Sequence, residues 1–121
     1  MKPAIEITKF VKGPKLEDEV VELTANESVN LSDYAILDNT FKKDGKLSNI
    51  FRHFHKFDLT GTLKTGEKLR IFTKAGTFRK IPESNPAIYE KFWGSEEPIW
   101  NNSKDEAILI KVDVIDKFLS K

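Results

Sequence analysis

A chain of 121 residues is long enough to fold as one domain, residues 1–121, around a core that needs no metal or disulfide support. Its 20 Lys and Arg residues against 19 Asp and Glu residues give a formal net charge of +1, which argues against collecting nucleic acid by bulk charge alone. The absence of cysteine excludes disulfides, thiol chemistry and thiolate metal sites.

The first ten residues, MKPAIEITKF, lack the unbroken apolar run of a signal peptide, because Glu6 and Thr8 interrupt it. No window approaches the roughly 20 consecutive apolar residues of a membrane helix. The sequence as given therefore predicts a cytoplasmic protein without membrane insertion.

Short apolar runs separated by Gly, Asn, Asp and Pro recur along the chain, and this pattern is typical of strands joined by turns. We expect three strands in the first third of the chain, over residues 4–11, 19–23 and 34–37. In the second strand, Val21 and Leu23 would face inward and Glu22 outward, because side chains alternate between the two faces of a strand. Residues 25–30 are polar and are expected to form a loop.

The segment over residues 47–57 fits two structures. Its apolar residues repeat with the spacing of an amphipathic helix at Leu47, Ile50, Phe51 and Phe54. As a strand, the same segment would place four rings on one face, those of Phe51, His53, His55 and Phe57. The aromatic residues favour a strand near residues 52–57, and the helical alternative stays open.

In the second half of the chain, alternation predicts a strand over residues 68–73, followed by a loop over residues 74–84. Asn85 and Pro86 match a capping residue and a proline at the first helical position, which predicts a short helical turn over residues 86–92. A final strand is predicted over residues 106–112. Residues 107–110 are apolar at every position, which indicates cover on both sides.

About seven strands with few helices indicate a β-sandwich or a small barrel. Four groups of residues then follow one another in a recognisable order: Glu19 to Leu23 with Asn26, Leu31 and Tyr34; His55, Lys56 and Phe57; Leu63, Gly66 and Leu69 to Phe72; and Trp100, Asn102, Asp105 and Ile108 to Val112. Their order and spacing, over roughly residues 5–112, resemble the lamin tail domain family. Two positions depart from the family pattern, since many members have tryptophan at the position of Tyr34 and glycine at that of Lys104.

The resemblance implies an all-β, immunoglobulin-like β-sandwich with one short helical turn near residues 86–92. It also implies a noncatalytic binding or scaffolding module that acts on a protein partner through sheet faces or edges. A weak homodimer formed by a self-paired edge strand is a secondary expectation.

Basic side chains interleaved with phenylalanine suggest one candidate binding surface. Its members are Arg52, His53, His55, Lys56, Arg70 and Phe72. Cations and stacking rings are what a nucleic-acid surface requires, so nucleic-acid binding is the alternative function. Outward charges on strands also serve solubility and block edge pairing, and the balanced net charge favours that interpretation.

His53 and His55 form an H-x-H pair that would point to one side of a strand, as two ligands of a zinc site do. No third donor is evident, so no metal and no cofactor are predicted.

The sequence has no nucleophile elbow and no phosphate-binding glycine loop, so an enzyme is not expected. Trp93 and Trp100 are expected in the core or at its edge.

Overall fold

The computed structural model describes residues 2–11, 15–38, 54–57, 61–95, 100 and 107–112. Strands dominate these residues, and their helical structure is confined to two three-residue 3₁₀ turns, Leu16–Asp18 and Leu31–Asp33. The prediction of an all-β fold is confirmed. The helical residues in the described ranges fall well short of the length and apolar character that crossing a bilayer requires.

Ten strands are defined within the described ranges, and they form three sheets. They are β1 (Ile5–Val11), β2 (Val20–Ala25), β3 (Val29–Asn30), β4 (Tyr34–Asp38), β5 (Phe54–Lys56), β6 (Thr62–Leu63), β7 (Lys68–Phe72), β8 (Arg79–Lys80), β9 (Ile88–Phe92) and β10 (Ala107–Lys111). A five-stranded sheet has the order β1-β2-β7-β9-β8, a three-stranded sheet has the order β10-β4-β5, and β3 pairs with β6. The β7–β9 pair is parallel and the other described pairs are antiparallel.

The centre of the core comes from β2 and β7, whose apolar residues alternate with polar ones. Val21 lies opposite Ile71 and Leu23 opposite Leu69 across the ladder, and all four side chains are at most 1% exposed. Glu22 points to the opposite face of the sheet, where polar side chains of the neighbouring strands bond to it. The predicted facing of Val21, Leu23 and Glu22 is therefore confirmed.

The core cluster also draws side chains from the other two sheets. Ile36 of β4, Leu63 of β6 and Phe57 are fully buried, and Trp100 is 1% exposed. The Trp100 backbone N–H donates to the carboxylate of Glu19 at 3.0 Å, so this buried acid fixes residue 100 against the start of β2. Removing a charged partner from such a buried bond is costly, because the remaining polar group is left unsatisfied.

The predicted helical turn over residues 86–92 is wrong, because Ile88–Phe92 forms strand β9, which runs parallel to β7. Ile88, Tyr89 and Phe92 favour strand structure, and a helix this short is marginal without tertiary support. Pairing with a central strand therefore outweighs the local signal of Asn85 and Pro86.

Two other local predictions also need correction. The loops expected over residues 25–30 and 74–84 contain the two-residue strands β3 and β8. Residues 107–110 are only half-buried, because β10 lies at an edge of the three-stranded sheet. In the ambiguous segment, Phe54–Lys56 is the strand β5, and residues 47–53 lie outside the described ranges.

We expect Val21→Ala to lower the free energy of unfolding by about 2 kcal/mol, because it removes buried methyl groups and leaves a cavity. The matched change Val20→Ala, on the half-buried neighbouring residue that faces away from the core, should cost less than about 1 kcal/mol. Urea unfolding of both variants measures the difference. Equal costs would contradict the assignment of the two faces of β2.

Candidate interaction surface

The described members of the predicted surface lie on two different sheets. His55 and Lys56 belong to β5 in the three-stranded sheet, whereas Arg70 and Phe72 belong to β7 in the five-stranded sheet. The predicted surface is therefore not one continuous strand pair within the described residues.

His55 packs inside the protein. It lies opposite the buried Ile36, its ring stacks on Trp93 with centroids 4.9 Å apart, and Phe57 lies 6.3 Å away. Its Nε2 atom is buried without a hydrogen-bond partner. Burial, assisted by the charge of Lys91, lowers the pKa of His55 to about 4. The side chain is thus a neutral aromatic packing group at neutral pH.

The other half of the H-x-H pair, His53, lies outside the described residues, as does Arg52. Within the described ranges, no three His, Asp or Glu side chains group in a way that could hold a metal ion. Lys56 points away from His55, since side chains alternate along β5. Its Nζ donates to the carbonyl of Ser32 at 2.7 Å, so it is held to the loop before β4.

Arg70 and Phe72 lie on the side of the five-stranded sheet opposite the core, which we call the outer face. Strand pairing and side-chain hydrogen bonds assign these side chains to the outer face: Glu6, Thr8, Lys9, Val11, Val20, Glu22, Thr24, Lys68, Arg70, Phe72, Arg79, Ile88, Glu90 and Phe92. It combines charged groups with a pair of phenylalanine rings.

Glu22 is the centre of the charge network on the outer face. Its carboxylate accepts from Arg70 Nε at 3.0 Å and from Thr8 Oγ1 at 3.2 Å, and Lys68 Nζ lies 3.5 Å away. Burial by itself would raise the pKa of Glu22, but the Arg70 hydrogen bond, the Lys68 charge and the Thr8 hydrogen bond together hold that pKa below its ordinary value. Glu22 therefore stays ionised and compensates part of the local positive charge.

A second ion pair lies beside the first. Arg79 Nε donates to Glu90 at 2.7 Å, and Glu90 stands opposite Arg70 across the β7–β9 pair. Arginines of the outer face are thus matched by carboxylates of the same sheet. Ion pairs at a protein surface contribute little to stability, but they set the distribution of charge on this face.

Two half-buried phenylalanines form the apolar part of the outer face. Phe72 stacks on Phe92 with centroids 5.3 Å apart and planes inclined by 19°. Lys74 Nζ lies 5.4 Å from the Phe72 centroid, within the range of a cation–π contact. Gly76 backs the Phe92 ring so closely that an added Cβ would lie 2.5 Å from it. The stack is held between a cation and a segment of backbone.

A shallow depression adjoins this stack. It has a volume of about 200 Å³ and is lined by Lys9, Val20, Glu22, Arg70 and Phe72. The depression therefore has apolar side chains next to both signs of charge.

A second depression, of about 280 Å³, lies between the start of β1 and strands β4 and β10, and its lining is largely apolar. Of its lining residues, Lys111 is the only one with a charged side chain. Its lining carries less charge than that of the depression beside Phe72.

The sequence indicated part of this surface. Alternation of Leu69 and Ile71 with Arg70 and Phe72 predicted the strand that carries these two residues, and that strand is β7. Phe92 was missed because the local signal predicted a helical turn, and Lys74 was assigned to a loop. The ladder that brings Phe92 beside Phe72 joins strands that are not sequence neighbours, and alternation within one strand does not reveal such a partner.

Comparison with protein-family models and with curated proteins yields no significant match to this chain.

We expect stability to fall as the pH drops from about 6.5 toward 4. The folded chain keeps His55 neutral down to about pH 4, whereas the unfolded chain protonates this imidazole near its ordinary pKa of 6.5. The unfolded state therefore binds more protons in this window, and the stabilising contribution, complete above pH 6.5, is lost on acidification.

The variant His55→Phe keeps the ring and removes the titrating group. Between pH 7 and pH 4, the wild-type chain should lose on the order of 2 kcal/mol more free energy of unfolding than this variant. Urea unfolding at a series of pH values measures both. Identical pH profiles would contradict the buried, neutral state of His55.

Proposed function

We propose that this protein is a noncatalytic binding or scaffolding module with a lamin-tail-like, immunoglobulin-like β-sandwich fold. It binds another protein through the outer face of the five-stranded sheet. The observation that carries this proposal is the Phe72–Phe92 stack set among ion pairs that are already matched on the same face.

Protein interfaces are enriched in aromatic residues and arginine, with a polar rim around the apolar centre. The outer face has this composition, since two phenylalanines adjoin Arg70, Glu22 and Lys74. A pre-positioned ring contributes contact area without a large loss of side-chain entropy on binding. Gly76 limits the movement of Phe92 and so supports that role.

The outer face is a better candidate than the exposed edge of β8. That strand has two residues, includes Lys80 and is followed closely by Pro82, which are features that protect an edge against pairing. Edge pairing into a weak homodimer remains a secondary proposal.

Nucleic-acid binding is the second candidate function. The cluster of Arg70, Phe72 and Lys74 favours it, because cations beside a stacking ring suit phosphates and bases. Glu22 and Glu90 argue against it, since their carboxylates repel a continuous phosphate chain. A protein partner can instead present charges of both signs at separate positions.

The proposal is tested by site-specific photo-crosslinking in native-host extract. A crosslinking side chain replaces Val20 on the outer face, and the control replaces the exposed Thr62 of β6. We expect a discrete protein adduct at position 20 that is absent at position 62. Adducts of equal yield at both positions, or none at position 20, would contradict protein binding through the outer face.

A fluorescence titration with short single-stranded DNA and RNA separates the two candidate functions. We expect no binding at tens of micromolar nucleic acid in low salt, the condition in which phosphate contacts are strongest. Binding that weakens steeply with added salt would instead favour the nucleic-acid function.

A further inference from the structure

We propose that the depression beside Phe72 is the docking site for an acidic peptide segment of the partner protein. An apolar side chain of the segment enters the depression, and flanking carboxylates pair with Lys9 and Lys74. This inference rests on the proposed function and specifies the chemistry of its partner.

The shape of the site supports an apolar anchor. The depression has a volume of about 200 Å³, and Val20 and the Phe72 ring form its apolar walls. Val20 and Phe72 lie opposite each other across the β2–β7 ladder, so both apolar side chains stand on paired strands. An aromatic or aliphatic side chain inserted there would remove apolar surface from water on both sides.

The charges around the depression support an acidic partner. Two cations line the depression, Lys9 and Arg70, and Lys68 and Lys74 lie beside it. Glu22 is the one lining carboxylate, and Glu90 stands opposite Arg70 in the neighbouring strand. Arg70 and Lys68 are engaged with Glu22. Within the described part of the chain, no salt bridge joins Lys9 or Lys74 to a carboxylate. Glu90 nearby is matched by Arg79, so it does not neutralise either lysine.

The two uncommitted lysines stand beside different lining residues. Lys9 is the cross-strand neighbour of Glu22 in the β1–β2 register, whereas Lys74 lies over the Phe72 ring. A peptide with carboxylates on both sides of an apolar residue could therefore place one carboxylate near Lys9 and the other near Lys74. Glu22, which lines the depression itself, disfavours negative charge inside it, so the segment is expected to be apolar where it enters and acidic at its flanks.

The test begins with a phage-displayed library of random peptides selected against the whole immobilised chain. We expect enrichment of peptides with Asp or Glu on both sides of an aromatic or aliphatic residue. The most enriched peptide, labelled with fluorescein, then serves as the probe in anisotropy titrations at low and moderate salt.

The deciding variant is the double charge reversal Lys9→Glu and Lys74→Glu. We expect it to weaken binding of the labelled peptide at least tenfold, because two attractions become repulsions. The matched control, Lys64→Glu with Lys80→Glu, makes the same change in net charge at exposed positions that do not line the depression, and should stay within twofold of wild type. Circular dichroism and urea unfolding verify that both variants fold.

Two results would overturn the inference and leave the proposed function standing. One is that crosslinking at position 20 persists while the selection enriches peptides without acidic residues. The same conclusion follows if crosslinking persists while the double charge reversal leaves peptide binding unchanged. The other is a library that yields no binder although position 20 still crosslinks to a protein. Loss of the crosslink itself would instead count against the proposed function.

Discussion

The antiparallel pairing of β2 with β7 is the constraint on which the rest of the structure depends. Because side chains alternate along each strand, one register places Val21 and Leu23 against Ile71 and Leu69 in the core. The same register places Glu22 beside Arg70 on the outer face. A shift by one residue would bury the ion pair and expose the core, so folding and the charge pattern of the surface are fixed together.

Because one register fixes both the core and the surface, the outer face carries a defined arrangement of charges although it has no cleft. Glu22 collects Arg70, Lys68 and Thr8 into one network, and its ionisation limits the positive charge of the sheet. The Phe72–Phe92 stack extends the network at one end. The outer face therefore presents an apolar stack next to charges of both signs in fixed positions.

The sequence predicted the features that depend on local alternation. The strands β1, β2 and β7 and the facing of Val21, Leu23 and Glu22 follow from period-two patterns, and β4 and β10 follow from short apolar runs. What it missed depends on contacts between distant residues. The two-residue strands have no pattern of their own, and β9 was predicted as a helical turn because its stabilising partner, β7, lies well before it in the sequence.

The residues of the candidate site also separate into those that local alternation could place and those that depend on contacts between distant strands. Arg70 and Phe72 could be assigned to the outer face from their own strand, whereas the neighbours that give them a role, Glu22 and Phe92, come from other strands. His55 could not be recognised as a packing residue, because the side of β5 that faces the core depends on Ile36 and Trp93. Where neither face of a strand is clearly the more apolar one, as in β5, alternation does not identify which face is buried.

The most direct test of the account is an amide and methyl NMR perturbation map, recorded while a crosslink-identified partner protein is added to the isotopically labelled chain. We expect the largest shifts on the outer face, at Lys9, Val20, Phe72 and Lys74, while the methyl signals of Leu23 and Leu69 change little. Perturbations centred on β5, around His55 and Lys56, with an undisturbed outer face would contradict it.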